Sequence, residues 1–298
     1  MQRKIKKIAK QIYKCLPFKR NIFLLIKYIF GTSLPENLSQ HLHFNGTIKV
    51  FIDSSRKEFI KIKHRGDLLE NQLFWLGIDR FYEQHSLRVW RKLAKESEVI
   101  FDLGANTGIY SLVSKAVNQK AEIYSFEPVP ETYNWLKENI DLNNFSIYSE
   151  QIALSNYNGM SVIKIKEEDH YAATLSNELD DDINVKSIPI ETRRIDDYVA
   201  VKGIKGVDLL KMDVELHEPE VLEGMTKTLS MFRPSILLEV HRDDIGVKIQ
   251  EKLDGLNYLY FDIDEKERKL KKVDEIRHGS YLNFLIIQPE VAKRINLF

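Results

Sequence analysis

The stretch VIFDLGANTGIYSLV, residues 99–113, joins a short apolar run to a glycine-rich turn and an amphipathic segment. Val99 to Leu103 reads as a buried strand, Gly104 to Gly108 as a turn, and Ile109, Leu112, Val113 and Ala116 as one side of a helix. A turn of this kind lets backbone N–H groups approach a ligand closely, and Gly104 and Gly108 stand where a bulky side chain would obstruct that approach. A second strand, Ala121 to Phe126, ends at Glu127-Pro128, and Tyr133, Trp135, Leu136 and Ile140 follow at helical spacing. Strand, helix, strand, helix is the alternation of an α/β protein with a parallel sheet.

Working outward, Asn158-Gly159 reads as a hairpin turn leading into a strand from Ser161 to Lys166. Further strands are expected at 186–191, 207–212, 235–240, 257–263 and 282–288, and a helix from Pro219 to Met231. Residues 167–184 are acidic and irregular, with Glu178 and Asp180 to Asp182; they read as a solvated loop, and 167–187 otherwise as a lid. Arg193 and Arg194 would pair with that acid run or touch substrate. Upstream, residues 31–46 carry loop signals, TIKVFI and EFIKIK within 47–63 read as strands around a turn at Asp53-Ser54-Ser55, and 68–95 reads as helical. The expected organisation is a basic arm (1–30), an α+β extension (31–96) and a main domain (97–290).

The chain has 298 residues, 43% of them hydrophobic and 30% charged, a globular composition for one large domain or two small ones. A single cysteine, Cys15, rules out a disulfide scaffold and a multi-thiolate zinc site. No apolar run reaches the roughly 18–20 residues of a spanning helix. Net charge is zero, but residues 1–30 hold nine basic side chains and no acid, so the remainder stands at −9. Ile5, Ile8, Ile12 and Leu16 recur at helical spacing, and the run from Ile22 to Phe30 is broken by Lys27. This arm reads either as peripheral contact with an anionic membrane surface or as a helix packed on its own domain. A secretory signal lacks a clear cleavage site. The acidic body has no base-reading motif, so no nucleic-acid partner is expected. The expected location is cytoplasmic, with the arm at the inner face of a membrane.

The chemistry concentrates at the first turn. Glu127 lies 23 positions after Gly104, at the end of the next strand, where an acid accepts both hydroxyls of a ribose. The bland alternative is a turn that only packs helix on strand. The dinucleotide fingerprint G-x-G-x-x-G is incomplete because position 106 is asparagine, which disfavours a nicotinamide-dependent oxidoreductase; the phosphate-binding G-x-x-x-x-G-K-[ST] loop is absent. A ribose-bearing ligand without phosphate fits better. S-adenosylmethionine is one, its tail amine facing Asp102 and its ribose Glu127.

VIFDLGANTGIYSLV and IYSFEPVPETYNWLKENIDLN resemble the FkbM family of class I S-adenosylmethionine-dependent methyltransferases. QIALSNYNGM, VDLLKMDVELHEPEVLEGM, RPSILLEVH and, ahead of the first strand, WLGIDRFYEQHS extend the resemblance. It implies a Rossmann-like sheet of seven strands, mostly parallel with one antiparallel. It implies S-adenosylmethionine held by Asp102, Gly104, Ala105, Asn106, Gly108 and Glu127, with Ala153 at the adenine edge and Glu83 at the methionine tail. The activity implied is O-methylation of a sugar, glycan intermediate or secondary metabolite; the alternative is a non-catalytic S-adenosylmethionine-binding protein. An oxygen acceptor must shed a proton, and Asp213, Glu215 and His241 are the candidate bases, with His217 behind them. The same acids with His241 could hold a divalent cation, though no tight ligand spacing appears and no metal is predicted; Glu215 and Glu218 could equally serve a helix start. Tyr171, Trp75 and Trp90 could stack on a sugar or pack in the core. Leu216 stands where the family carries glycine, and is expected to narrow that edge of the pocket. The acceptor and the oligomeric state stay open.

Overall fold

The structure, a computed structural model, describes residues 18–30, 39, 41–53, 55–166, 169–175, 185–279 and 281–297. The expected helix through Ile5 to Leu16, most of the lid, and the acids at 178 and 180–182 lie outside these residues. The chain divides into two compact units, residues 1–50 with 61–81 and residues 51–60 with 82–298.

Among the described residues the first elements are α1 (Lys19–Phe30), β1 (Gly46–Phe51), β2 (Phe59–His64) and α2 (Leu68–Leu76), β1 and β2 forming a two-stranded sheet. The first unit is held by rings: Phe44 stacks on His64 at 4.3 Å between centroids and meets Phe74 edge-on at 4.9 Å. Phe23 of α1 joins them against Phe44 and Trp75. The helix expected over 68–95 is interrupted. Gly77, at φ 74°, ends α2, a single 3-10 turn spans Ile78–Arg80, and α3 begins at Gln84.

The second unit comprises α3 (Gln84–Glu96), β3 (Val99–Leu103), α4 (Ile109–Val117), β4 (Glu122–Phe126), α5 (Pro130–Asn143), β5 (Tyr148–Glu150), β6 (Ala153–Leu154), β7 (Gly159–Lys166), β8 (Asp169–Thr174) and β9 (Val185–Arg193). It continues with α6 (Ile195–Lys202), β10 (Leu209–Met212), α7 (Glu218–Glu223), α8 (Thr226–Phe232), β11 (Ser235–Glu239), α9 (Asp243–Leu253), β12 (Leu259–Asp264), β13 (Lys269–Val273), β14 (Asn283–Ile287) and α10 (Pro289–Arg294). The main sheet runs β13-β12-β14-β11-β10-β3-β4-β5. From β5 to β11 every pairing is parallel, and β14 lies antiparallel between β11 and β12. Among the described residues, β12, β14, β11, β10, β3, β4 and β5 make the expected number of seven, but β5 falls in no expected strand range, and the strands expected at 161–166 and 186–191 lie in a separate sheet. An eighth, β13, extends the edge as an antiparallel partner of β12; its Lys269-Leu270-Lys271-Lys272 carries no apolar alternation of the kind that marks a core strand.

Side chains alternate across strands, and this alternation builds the site. Phe101, Leu103, Phe126, Leu210, Met212, Ile236 and Leu238 form a core with Ile195 and Tyr198 of α6, Val221 and Leu222 of α7 and Ile249 of α9. The intervening residues Asp102, Ser125 and Lys211 stand side by side on the opposite face.

Several local expectations change. Asn158-Gly159 is not a hairpin, because β6 and β7 flank β9 in the order β6-β9-β7-β8. Asn158 instead accepts the Arg194 N–H and donates to Asp197 at the start of α6. The helix expected over 219–231 splits into α7 and α8. Asp196 takes the Lys227 and Thr228 N–H groups, satisfying first-turn donors of α8. The stretch taken as irregular contains β8. Arg193 pairs with Glu191, and Arg194 lies 3.8 Å from Asp196; the acid run lies outside the described residues.

Candidate active site

The turn after β3 folds back onto the end of β4. The Gly104 and Ala105 N–H groups donate to the Phe126 carbonyl at 3.0 and 2.9 Å. Asn106, at φ 51°, donates its N–H to Glu127 Oε2 at 2.9 Å, and Val129 N–H donates to Oε1 at 2.9 Å. Glu127 is thus clamped by backbone from both sides, with one acceptor position left on each oxygen. Burial pushes its carboxyl up to about 7 against those two hydrogen bonds.

The glycines are also needed for the chain's own packing. A Cβ on Gly104 would lie 1.8 Å from the Asp213 carbonyl oxygen, and one on Gly108 2.5 Å from Leu136 Cδ1. Their narrowness serves the chain's own contacts, with the end of β10 and with α5. Asp102 is also occupied. Its Oδ2 accepts the Ser111 N–H at 2.9 Å and the Ser111 hydroxyl at 2.5 Å, inside the first turn of α4. Burial raises Asp102 to about 6, opposed by the Ser111 hydrogen bonds.

A cleft opens beside Glu127. Its lining is part apolar, with Pro128, Val129, Ile152, Ala153, Leu154 and Ile163, and part polar, with Asn106, Glu127, Asp213, Glu215 and His217. It brings together Gly104, Asn106, Glu127, Ala153, Asp213 and Glu215 of the sequence-predicted set. Glu83, Asp102, Ala105, Gly108 and His241 are not part of its lining.

Glu83 and His241 belong instead to a buried ionic cluster around Lys211, which sequence reasoning left without a role. Lys211 is 1% exposed, its Nζ lies 3.5 Å from Asp213 Oδ2, and it sits over the Tyr110 ring at 5.1 Å. Burial alone would lower a lysine, but the charges of Asp213, Glu239, Glu83 and Asp102 outweigh it and hold Lys211 protonated. Glu83 Oε1 accepts from the Tyr110 hydroxyl at 3.1 Å and from Asn283 Nδ2 at 2.9 Å. Burial raises Glu83 to about 7 despite Lys211. Asp213 is raised by burial and by Glu239, with Lys211 opposing. The one available signal for Lys211 was a charged residue inside an otherwise apolar strand.

His241 Nε2 lies 3.1 Å from Glu239 Oε2 and 3.9 Å from Glu215 Oε2. The Glu239 hydrogen bond lifts its imidazole to about 9, against partial burial. Burial pushes Glu239 up, but His241 and Lys211 outweigh it and keep it ionised. At neutral pH this pair is an imidazolium and a carboxylate.

After β10 the chain turns sharply. Glu215 and Leu216 both have positive φ, 52° and 71°. Leu216 keeps the backbone form that suits glycine, at a cost of roughly 1–2 kcal/mol. Its side chain packs against the main core and does not line the cleft, so the pocket edge is not narrowed by it. Next to it, His217 Nε2 lies 2.9 Å from Ser155 Oγ, and burial lowers the imidazole. Glu218 is fully buried and raised by burial to about 8.

The cleft suits a nucleoside with a cationic tail: apolar side chains for a base, a clamped carboxylate for two hydroxyls, and two further acids. S-adenosylmethionine has that distribution. Among the described residues, no group of three or more His, Cys, Asp or Glu is arranged to hold a metal ion. Trp75 and Trp90 are 1% and 0% exposed and donate their indole N–H groups to the Leu42 carbonyl and to Ser114, so both are packing residues.

Comparison with known proteins agrees. The FkbM methyltransferase domain matches residues 102–269. A hexuronic acid methyltransferase, AglP, from Haloferax volcanii is 30% identical over 56% of this chain and 66% of its own length. The 2-O-methyltransferase NoeI of Sinorhizobium fredii is 30% identical over 50% of this chain and 67% of its own. A 31-O-demethyl-FK506 methyltransferase of Streptomyces tacrolimicus is 27% identical over 56% and 72%. The chain covers about two thirds of the first two relatives. With the turn after β3, the clamped acid after β4 and the K-M-D-V-E segment at β10 all in one unit, the chain belongs to the FkbM methyltransferase family.

Proposed function

We propose that the chain transfers a methyl group from S-adenosylmethionine to a hydroxyl of a sugar, glycan intermediate or secondary metabolite. The observation that carries this reading is Glu127, clamped by backbone in a cleft that Asp213 and Glu215 also line. The names of the relatives, a hexuronic acid methyltransferase and a 2-O-methyltransferase, support a sugar hydroxyl.

S-adenosylmethionine, when bound, supplies an electrophilic methyl group with a neutral thioether as leaving group. Glu127 would accept the two ribose hydroxyls, and Ala153 with Val129 and Ile152 would enclose the adenine. Gly104, Ala105, Asn106 and Gly108 shape the turn, while Asp102 fixes α4 behind it through Ser111. Glu83, held by Tyr110 and Asn283, adds negative charge beside the end of β10, which favours a cationic tail. The remaining task is to take the acceptor's proton and align its oxygen. Asp213 is the best placed group, since it lines the cleft and its ionisation is balanced between Glu239 and Lys211. His241 holds a proton at neutral pH, so its part is to steady Glu239 and Glu215 rather than to serve as base.

The test is methyl-labelled S-adenosylmethionine with hexoses, hexuronic acids and hydroxylated secondary metabolites as acceptors. Acceptor-dependent labelled product from the wild type, lowered by Asp213→Asn with S-adenosylhomocysteine affinity retained, supports the reading. Full turnover in Asp213→Asn removes it as the base, and cofactor binding without transfer to any acceptor favours a non-catalytic binding protein.

A further inference from the structure

Helix α1 has two unlike faces. One is docked within the first unit: Phe23 is 3% exposed among the rings of Phe44 and Trp75, Arg20 donates to the Thr47 carbonyl, and Lys27 donates to the Phe74 carbonyl and covers that ring. These positions follow the i, i+3, i+7 spacing of one helix face. The other face is apolar and open. Ile22, Leu25 and Ile29, at i, i+3 and i+7, are 38%, 58% and 63% exposed, and Phe18, just ahead of the helix at φ 57°, is 77% exposed. Tyr28 at 88% and Phe30 at 53% widen the patch. Large apolar side chains gathered in this way mark an interaction surface rather than ordinary surface scatter.

Charge indicates what covers it. Residues 1–30 hold nine Lys or Arg and no acid, and six of the nine fall at positions 3–14, just ahead of the helix. The helix has 12 residues, so at 1.5 Å per residue it is about 18 Å long, too short to cross a bilayer. A short helix with one apolar face, basic neighbours and a tyrosine suits the boundary between headgroups and acyl chains. We propose that α1 lies in the plane of an anionic membrane surface, its Ile22–Leu25–Ile29 face inserted and the basic segment against lipid headgroups. The contact presents the enzyme to acceptors carried at that surface and does not depend on the identity of the methylated group.

The experiment is co-sedimentation of the full chain with vesicles of phosphatidylcholine alone and of phosphatidylcholine with about a third phosphatidylglycerol. The wild type is expected to pellet with the anionic vesicles, not with the neutral ones, and to be released by high salt. The double variant Leu25→Glu/Ile29→Glu should bind at least about tenfold more weakly with an unchanged melting temperature, because both side chains face outward. Wild-type protein left in the supernatant with anionic vesicles overturns the proposal, and so does a double variant that binds as the wild type does. A wild-type dimer that these two substitutions dissociate assigns the face to a second copy and overturns it equally.

Discussion

Gly104 and Asp213 meet so closely that an alanine Cβ at position 104 would lie 1.8 Å from the Asp213 carbonyl oxygen. The turn that shapes the cofactor cleft and the strand end that carries the proposed base are therefore locked together through backbone. No rotamer change relieves a collision with a carbonyl, and Gly104 sits at φ 69° besides. Gly104→Ala should cost about 3 kcal/mol or more and lower the melting temperature by about 6 °C or more, with cofactor affinity lost in parallel. Calorimetric melting and S-adenosylhomocysteine titration check both; a variant with normal melting and normal binding would show that the turn and β10 are not in contact as described.

Glu127 carries the ribose assignment. Removing its carboxylate with Glu127→Ala should weaken S-adenosylhomocysteine binding about 10- to 100-fold, the scale of lost charge-assisted hydrogen bonds. Equilibrium titration gives the number directly. An unchanged Kd would move the ribose elsewhere.

Cofactor binding should depend on pH with a definite sign. Glu127 is raised to about 7, so below that pH the free protein carries a proton there. Ribose hydroxyls donate best to the ionised carboxylate, so binding removes the proton. Affinity for S-adenosylhomocysteine should therefore rise between about pH 6 and pH 8, by no more than tenfold per pH unit for one proton. Titration in two buffers of different ionisation enthalpy should show proton release at the lower pH. Stability of the ligand-free protein runs the other way: a carboxyl raised above its unfolded value loses stability as pH climbs through about 7, and Glu83 and Glu218, raised to about 7 and 8, add to the trend.

Leu216 offers a test of local strain. Leu216→Gly should relieve roughly 1–2 kcal/mol of left-handed strain and lose a similar amount of packing, leaving melting within a few degrees of wild type and cofactor affinity within about twofold. Leu216→Val should be clearly less stable, since a β-branched residue tolerates positive φ poorly. Equal melting of the valine and glycine variants would show that the strain is not felt.

The sheet was readable because β3, β4, β10 and β11 are compact, largely apolar runs closed by Asp, Glu or Gly, and because Asn106 broke the dinucleotide pattern, whereas β5, Tyr148-Ser149-Glu150, has no apolar run to mark it. Glu127, Asp213 and Glu215 could be placed in one cleft for the same reason, since parallel strands share a carboxyl end. What escaped was determined by distant partners. Lys211 looks like a defect in an apolar strand until Asp213, Glu239, Glu83 and Asp102 surround it. The split between α7 and α8 depends on Asp196, 31 residues before Lys227. The role of Asp102 depends on Ser111, whose hydroxyl nothing in a linear motif points toward the strand. His241 is a candidate base by residue type, and what the sequence does not carry is its 3.1 Å approach to Glu239, which lifts its imidazole to about 9.

The central claim is a cleft built for S-adenosylmethionine. Its most direct test is calorimetric titration of the purified chain with S-adenosylhomocysteine and, in parallel, with NAD. The expected result is stoichiometric binding of S-adenosylhomocysteine, weakened by Glu127→Ala, and no binding of NAD. Binding of NAD alone, or of neither ligand by a correctly folded chain, would contradict it.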